Sequence, residues 1–378
     1  MKKIKIFLST IPTISLPMLA ISCYEKEKSL SFIVNAPYSK QKQHTFFKDI
    51  LDQFNQKTKQ NLKLELIYGS QNNDSINVIK KGTSNIAVLT LPNYISQIHE
   101  KGNENILPII QTKTKAFKFD YNFNDQYSNG QENDKLRQIA KKAQELFEKV
   151  PHALWNDAEY QWDGEKYEFF YQPDNKLVDY YRGIIMIQGN KKQRDEIKKA
   201  WDQKDWNAFR NFGILSGKTG SASKYILQQE LFKKHFNKEG NKFISFAIDR
   251  IKNPEKYSTT DNARRDIGRG ETKNYNIVFD DFGSFAYTNS SKGYFSPENA
   301  NGDVKIEFLT ATDPIKYNII VVDKKNFSAE EIKILQEIII KLWEEKKDDY
   351  GASVGFNGYE IITDVKKQVI DPYKKIFS

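Results

Sequence analysis

The stretch from Ser29 to Leu91 decides the fold. It holds Ser29-Leu-Ser-Phe-Ile-Val-Asn35, then Leu62-Lys-Leu-Glu-Leu66, then Asn85-Ile-Ala-Val-Leu-Thr-Leu91. The first and last are short apolar runs rich in β-branched residues, and the middle one alternates apolar with charged side chains, so each reads as a strand. Between the first two, Phe46, Phe47, Ile50, Leu51 and Phe54 recur at helical spacing. Between the second and third, Ser75–Lys81 reads as a short helix with Gly82 as its C-cap, and Pro92 stops the last strand. Strand–helix–strand–helix–strand is the order of a parallel sheet flanked by helices.

Downstream the same alternation resumes after a polar interruption. Residues 120–133 read as loop, and Leu136, Ile139, Ala140, Ala143, Leu146, Phe147 and Val150 give an amphipathic helix stopped at Pro151. Asp163-Gly164 between aromatic runs predicts a hairpin over 161–171. Tyr181–Gln188 reads as a buried strand, 191–209 as helix and Asn211–Leu215 as strand; Lys224–Phe236 reads as a helix packed on both sides. Residues 252–275 read as a polar surface excursion. Strands are expected at 275–279, 284–288, 305–310 and 317–322, and Ser328-Ala-Glu-Glu331 is a capping box opening a helix with Ile332, Leu335, Ile339 and Leu342 on one stripe. The chain thus predicts two α/β units joined twice, crossing near 110–114 and returning near 308–314. The first lobe would be 30–112 plus 310–378, and the second 113–309.

The 378 residues fit two domains at about 150 residues each. A hydrophobic content of 39% with 28% charged residues is that of a soluble globule rather than a disordered chain. A single Cys excludes an internal disulfide framework and any Cys-based metal centre. The net charge is +9, but only eight of the 58 basic residues are Arg. Abundant Lys, Asn, Ile, Phe and Tyr share A/T-rich codons, which explains the excess more simply than a nucleic-acid interface; no nucleic acid is expected as partner.

The first 22 residues read as a lipoprotein signal peptide. Lys2, Lys3 and Lys5 form a basic start, Ile6–Ile21 is uncharged, and Pro12 and Pro17 interrupt it too often for a membrane span. Ala20-Ile21-Ser22 precedes Cys23, the chain's one thiol, where a diacylglycerol thioether would form. Residues 23–29 then serve as a lipidated tether, and two acyl chains suffice for stable anchoring. The mature protein is expected on the outer face of the cell membrane.

The richest local signal is Phe212-Gly-Ile-Leu-Ser-Gly-Lys-Thr-Gly-Ser-Ala-Ser-Lys-Tyr225. A strand enters a loop of small and hydroxyl residues, and a helix follows at once. Unpaired amides at a helix start favour an anion, small residues let it approach, and Lys218 and Lys224 add positive charge. Thr219, Gly220, Ser221, Ala222 and Ser223 complete the loop. A plain N-cap without ligand is the competing reading. The resemblance of Gly213-Ile-Leu-Ser-Gly217-Lys218-Thr219 to a P-loop fails, because three residues separate the glycines where four are required. His44, His99, His152 and His235 lack metal-ligand spacing, so neither a metal site nor a catalytic constellation is expected. Tyr38, Trp155, Trp162, Tyr180, Tyr181 and Tyr287 fall at strand ends or in loops, where a ring can stack on a ligand or simply pack. Arg182 is placed either for a phosphate contact or for a lobe-internal salt bridge. Asp280-Asp281 either faces a cationic group or merely ends a strand.

These residues also carry a family resemblance. The run from Ala200 to Lys218 with Ser221-Ala-Ser-Lys224 resembles the mollicute high-affinity transport lipoproteins. Those are extracytoplasmic thiamine-pyrophosphate-binding proteins related to phosphonate-type substrate-binding proteins. Val150-Pro-His-Ala-Leu-Trp155, Trp162-Asp-Gly164, Tyr181-Arg-Gly-Ile-Ile-Met-Ile-Gln-Gly189, Phe282-Gly-Ser-Phe-Ala-Tyr287 and Gly355-Phe-Asn-Gly-Tyr359 agree with it. In the first lobe Tyr38 and Asn93 occupy loops that depart from the family pattern. The resemblance implies an α/β, two-lobed type II periplasmic-binding-protein-like fold with the ligand between the lobes. It implies a monomer that delivers thiamine pyrophosphate, alone or with a divalent cation, to an ABC transporter permease. The diphosphate would sit on 219–224, the pyrimidine on Tyr or Trp, and the thiazolium on a ring face or on Asp281. A surface phosphohydrolase or nuclease, and an adhesin without a small ligand, are the alternative functions the same features admit.

Overall fold

The computed structural model describes residues 28–37, 44–69, 75–97, 104–300 and 302–377. Cys23, Tyr38 and His99 lie outside them. The strands gather into two main sheets, the first with an apolar cluster on each face and the second with one cluster of its own.

The first sheet has the order Gly358–Ile361, Ile106–Lys115, Ile319–Asp323, Ile86–Leu89, Ser29–Asn35, Lys63–Gly69. The last three strands are mutually parallel, as the opening stretch predicts. Ile319–Asp323 enters antiparallel to both its neighbours, and so converts the sheet to a mixed one. Alternation along Ser29–Asn35 explains the two-sided burial. Leu30, Phe32 and Val34 meet the helices Phe46–Thr58 and Ala329–Glu344 on one face. Ile33 meets Ile76, Ile79, Leu91 and the C-terminal helix Asp371–Phe377 on the other. Ser328 and Glu331 form the predicted capping box. The third strand is shorter than expected. It ends at Leu89, and Pro92 lies in the first turn of a helix Leu91–Gln97, where its missing N–H costs nothing.

The second sheet runs Lys305–Ala311, Gly183–Gly189, Ile277–Asp281, Ile214–Ser216, Tyr257–Thr259. Its core includes the fully buried Trp201, Phe209, Phe232, Phe236 and Phe279. Three expectations are corrected here. The polar stretch 252–275 contributes the edge strand Tyr257–Thr259, anchored because Tyr257 is buried and its hydroxyl donates to Asp249. Residues Ser284–Tyr287 form a 3-10 turn and not a strand. The chain bends sharply at Gly283 (φ 83°), where a Cβ would lie 2.5 Å from the Phe117 ring. The hairpin at Asp163-Gly164 shrinks to one bridge, Trp162 with Lys166. Its flanks wind into the 3-10 turns Asp157–Gln161 and Glu168–Phe170, because Tyr160, Tyr167 and Phe170 turn inward to the core.

The strand Ile106–Lys115 also pairs with Leu177–Val178, so the chain enters the second sheet only at Gly183, and it leaves that sheet after Ala311. The helix Leu227–His235 touches both cores. Leu231 and Phe232 belong to the second sheet's cluster, and Leu227 is buried in the first sheet's.

Candidate functional site

The strand Ile214–Ser216 delivers the chain to the loop singled out in the sequence. Gly217 is required there: a Cβ would stand 2.6 Å from that of Lys224, and its N–H donates to the Lys224 carbonyl at 3.0 Å. Residues 218–220 are exposed, and Ser221 N–H closes the turn on the Lys218 carbonyl. The helix begins at Ala222, two residues earlier than predicted, with a wide π turn over Ala222–Ile226. Its first bond is Ile226 N–H to the Ser221 carbonyl at 3.0 Å. The amides of Ala222, Ser223, Lys224 and Tyr225 therefore precede the first intrahelical bond and have no partner within the helix. The Ser221 side chain makes no capping bond to them.

Charge concentrates at the same turn. Lys224 Nζ lies 3.2 Å from Asp281 Oδ2 and 3.5 Å from Asp280 Oδ1. The Ser223 hydroxyl donates to Asp281. Asp280, fully buried, accepts from Ser284 Oγ at 2.8 Å and faces Arg264 Nε at 3.5 Å. Arg264 also donates to Thr288 Oγ1 and lies over the Tyr287 ring. Asp281 holds Lys224 protonated well above the ordinary lysine range, against the opposing effect of burial. Burial alone would raise Asp281, but Lys224 and Arg264 keep its carboxyl below the usual aspartate range. Lys224 and Asp281 keep 18% and 27% of their side chains exposed, so solvent reaches this pair although their surroundings are packed.

Tyr181 stands beside the cluster. Burial, and next the Asp281 charge, push its phenol far above the ordinary tyrosine range. Its ring meets that of Tyr317, from the first-sheet side of the chain, edge-on at 5.4 Å. With Leu227 this puts the cluster at the junction of the two sheets.

The other predicted residues fall elsewhere. Lys218 turns outward to Asp261 at 2.9 Å. Arg182 is not available to a phosphate: Nε binds both oxygens of Asp120, and the remaining nitrogens donate to the carbonyls of Asn122, Asp125 and Thr312. The salt-bridge reading of this residue is the one the structure adopts. Trp155 packs among Phe147, His152, Tyr167 and Phe170, with its indole N–H on the Val150 carbonyl. Trp162 lies under Lys115 at 4.5 Å and beside Tyr171, within a loop whose Asp163 accepts from Asn357. Tyr180 is buried against Asp120. Asn93 lies on the helix Leu91–Gln97, where its carbonyl accepts from Ser96. His44, His152 and His235 each meet a backbone carbonyl.

Arg264, Ser284 and Thr288 escaped the sequence reading. Arg264 sits in the stretch read as a surface excursion, and Ser284 and Thr288 in one read as a strand. For Ser284 and Thr288 the only signal was nearness to Asp280-Asp281; for Arg264 there was none. Among the described residues no group of three or more His, Cys, Asp or Glu side chains is placed to hold a metal ion, and no helix is long and apolar enough to cross a membrane.

The family model described as extracytoplasmic thiamine-binding lipoprotein matches residues 37–378. The high affinity transport system protein p37 of Mycoplasma pneumoniae is 39% identical over 295 residues, spanning 74% of each chain. The protein of the same name from Mesomycoplasma hyorhinis is 36% identical over 276 residues, covering 73% of this chain and 66% of its own. The solved structure of Mycoplasma hyorhinis Mh-p37, presented as a candidate thiamine pyrophosphate transporter, superposes with a TM-score of 0.82 at 29% identity. That match covers 93% of this chain and all of that one.

Proposed function

The chain belongs to the extracytoplasmic thiamine-binding lipoproteins, substrate-binding components of transport systems with the type II binding-protein fold, and we propose on that premise that its own ligand is thiamine pyrophosphate. The observation that carries the reading is the meeting of unpaired amides at Ala222–Tyr225, the Lys224 ammonium and the Asp281 carboxylate at the junction of the two sheets. Amides and ammonium suit a diphosphate. Asp281 suits a thiazolium, and the Tyr181 ring offers a face or edge to the organic part.

In this reading residues 30–112 with 310–378 form one lobe and 113–309 the other. Ligand touching both lobes favours the closed arrangement by its differential affinity, and the closed form is what an ABC permease engages. No bond is cleaved, so binding and release are the whole cycle. Cys23 carries the lipid, and the monomer hangs from the outer membrane face on a short tether. Within the cleft Lys218, Thr219 and Gly220 form the outer lip, Ser221 through Lys224 the seat. Asn93 belongs to the facing lobe, and Trp162 lies where the lobes adjoin. Arg182 and Trp155 hold the scaffold. A divalent cation has no protein ligands in this proposal.

Calorimetric titration of the mature protein with thiamine pyrophosphate, with thiamine and alkylphosphonates as comparators, tests it. Tight binding of the diphosphate is expected, and absence of binding for every compound removes the proposal.

A further inference from the structure

The Lys224–Asp281 pair suggests how such a site chooses among ligands; the argument rests on the reading of that turn as the ligand's seat. Lys224 is not a waiting cation, because protein carboxylates at 3.2 and 3.5 Å already neutralise it. The two carboxylates differ. Asp280 is fully buried and keeps Ser284 and Arg264 as neighbours whatever Lys224 does. Asp281 is partly open, held by the Ser223 hydroxyl and by Lys224. The residue that presents a free amide, Ser223, is thus the same residue that orients Asp281, so an anion seat and a cation seat abut at one turn.

A lone anion on the amides would draw Lys224 away and leave the Asp281 charge only Ser223 and the influence of Arg264 in packed surroundings, which is costly. A lone cation at Asp281 would leave Lys224 with Asp280 alone, at 3.5 Å, in place of two carboxylates. We propose that Asp281 is a specificity-determining residue. In the free protein it neutralises Lys224. The site then accepts a ligand that joins a phosphoryl group to an organic cation, exchanging one internal ion pair for two pairs with the ligand, in preference to either charge alone. Discrimination arises from the stranded charge and not from added contacts.

Calorimetry with thiamine pyrophosphate, inorganic pyrophosphate and thiamine on the mature protein tests this. In the wild type, saturating thiamine should tighten pyrophosphate binding about tenfold, since each ligand removes the other's penalty. In Asp281→Asn, which keeps the shape and an acceptor for Ser223, pyrophosphate alone should bind about tenfold tighter and thiamine pyrophosphate about tenfold weaker. Pyrophosphate binding no tighter in that variant, with thiamine pyrophosphate binding intact in the wild type, overturns the inference and leaves the function standing. No binding of any of the three to the wild type overturns the function itself. A circular-dichroism melt checks the variant's fold; should it not fold, the wild-type coupling decides alone, and its absence overturns the inference.

Discussion

Arg182 Nε lies 3.0 and 3.1 Å from the two carboxylate oxygens of Asp120, and both side chains are shut away from water. The rest of the guanidinium ties down the carbonyls of Asn122, Asp125 and Thr312, beside the point where the chain returns to the first sheet. Removing one partner strands a buried charge. Asp120→Ala should therefore destabilise the protein by about 3 kcal/mol in thermal or urea unfolding. The folded variant should bind ligand with little change. A large loss of affinity at unchanged stability would return Arg182 to the ligand contacts.

Ser221→Asp separates stability from binding. Ser221 is the N-cap residue, its side chain making no capping bond, and Asp is a favourable N-cap. Thermal stability should hold or rise. If the proposed seat is correct, the added carboxylate lies beside the diphosphate, and affinity for thiamine pyrophosphate should fall about tenfold or more by repulsion. An unchanged affinity in calorimetry would show that the loop is not the seat.

Gly164 packs on the Ala352 carbonyl, with a built Cβ only 2.2 Å from that oxygen and φ at +78°. Next to it Asn357 donates to Asp163 at 2.8 Å. Gly164→Ala should cost roughly 1–3 kcal/mol, from strain and from lifting this loop off the segment 351–357. Melting temperature measures the loss, and Gly164→Ser should behave alike, since the backbone and not polarity is at fault.

His235 predicts a pH dependence. Its Nε2–H donates to the Trp201 carbonyl at 2.8 Å, its Nδ1 accepts from the Tyr127 hydroxyl, and its ring stacks on Trp201. Burial lowers it to about 3. The unfolded chain takes up this proton near pH 6.5, whereas the folded protein holds the ring neutral down to about 3. Stability should thus decline as pH falls from 6.5 towards 3, by on the order of 3–5 kcal/mol from this residue. His235→Gln, though less stable at neutral pH, should show a shallower decline in melting temperature over that interval.

What could be read in advance follows from the range of each interaction. Helix Phe46–Thr58, helix Ala329–Glu344 and the buried strands announce themselves through spacing and caps that neighbours in sequence decide. The loop 216–224 was legible for the same reason. The 3-10 turn at Ser284–Tyr287 was not, because its apolar spacing imitates a strand and the bend depends on Phe117 lying against Gly283, far away in sequence. Nor was Arg264, which reaches Asp280 from a short helix inside a polar stretch. Arg182 illustrates a third limit: its residue type suits a phosphate and a buried aspartate equally, and only Asp120, 62 positions distant, settles the choice.

The strand Ile319–Asp323 separates Ile86–Leu89 from Ile106–Lys115, which do not touch one another in the first sheet. A chain emerging from the ribosome or an export channel therefore carries two unmated sheet edges until more than four-fifths of it has appeared. Such edges invite mispairing during synthesis, and contacts this remote in sequence form slowly. Fragments truncated before Ile319 should accumulate as aggregates, and the nascent protein should depend on a holding chaperone until its last fifth is delivered.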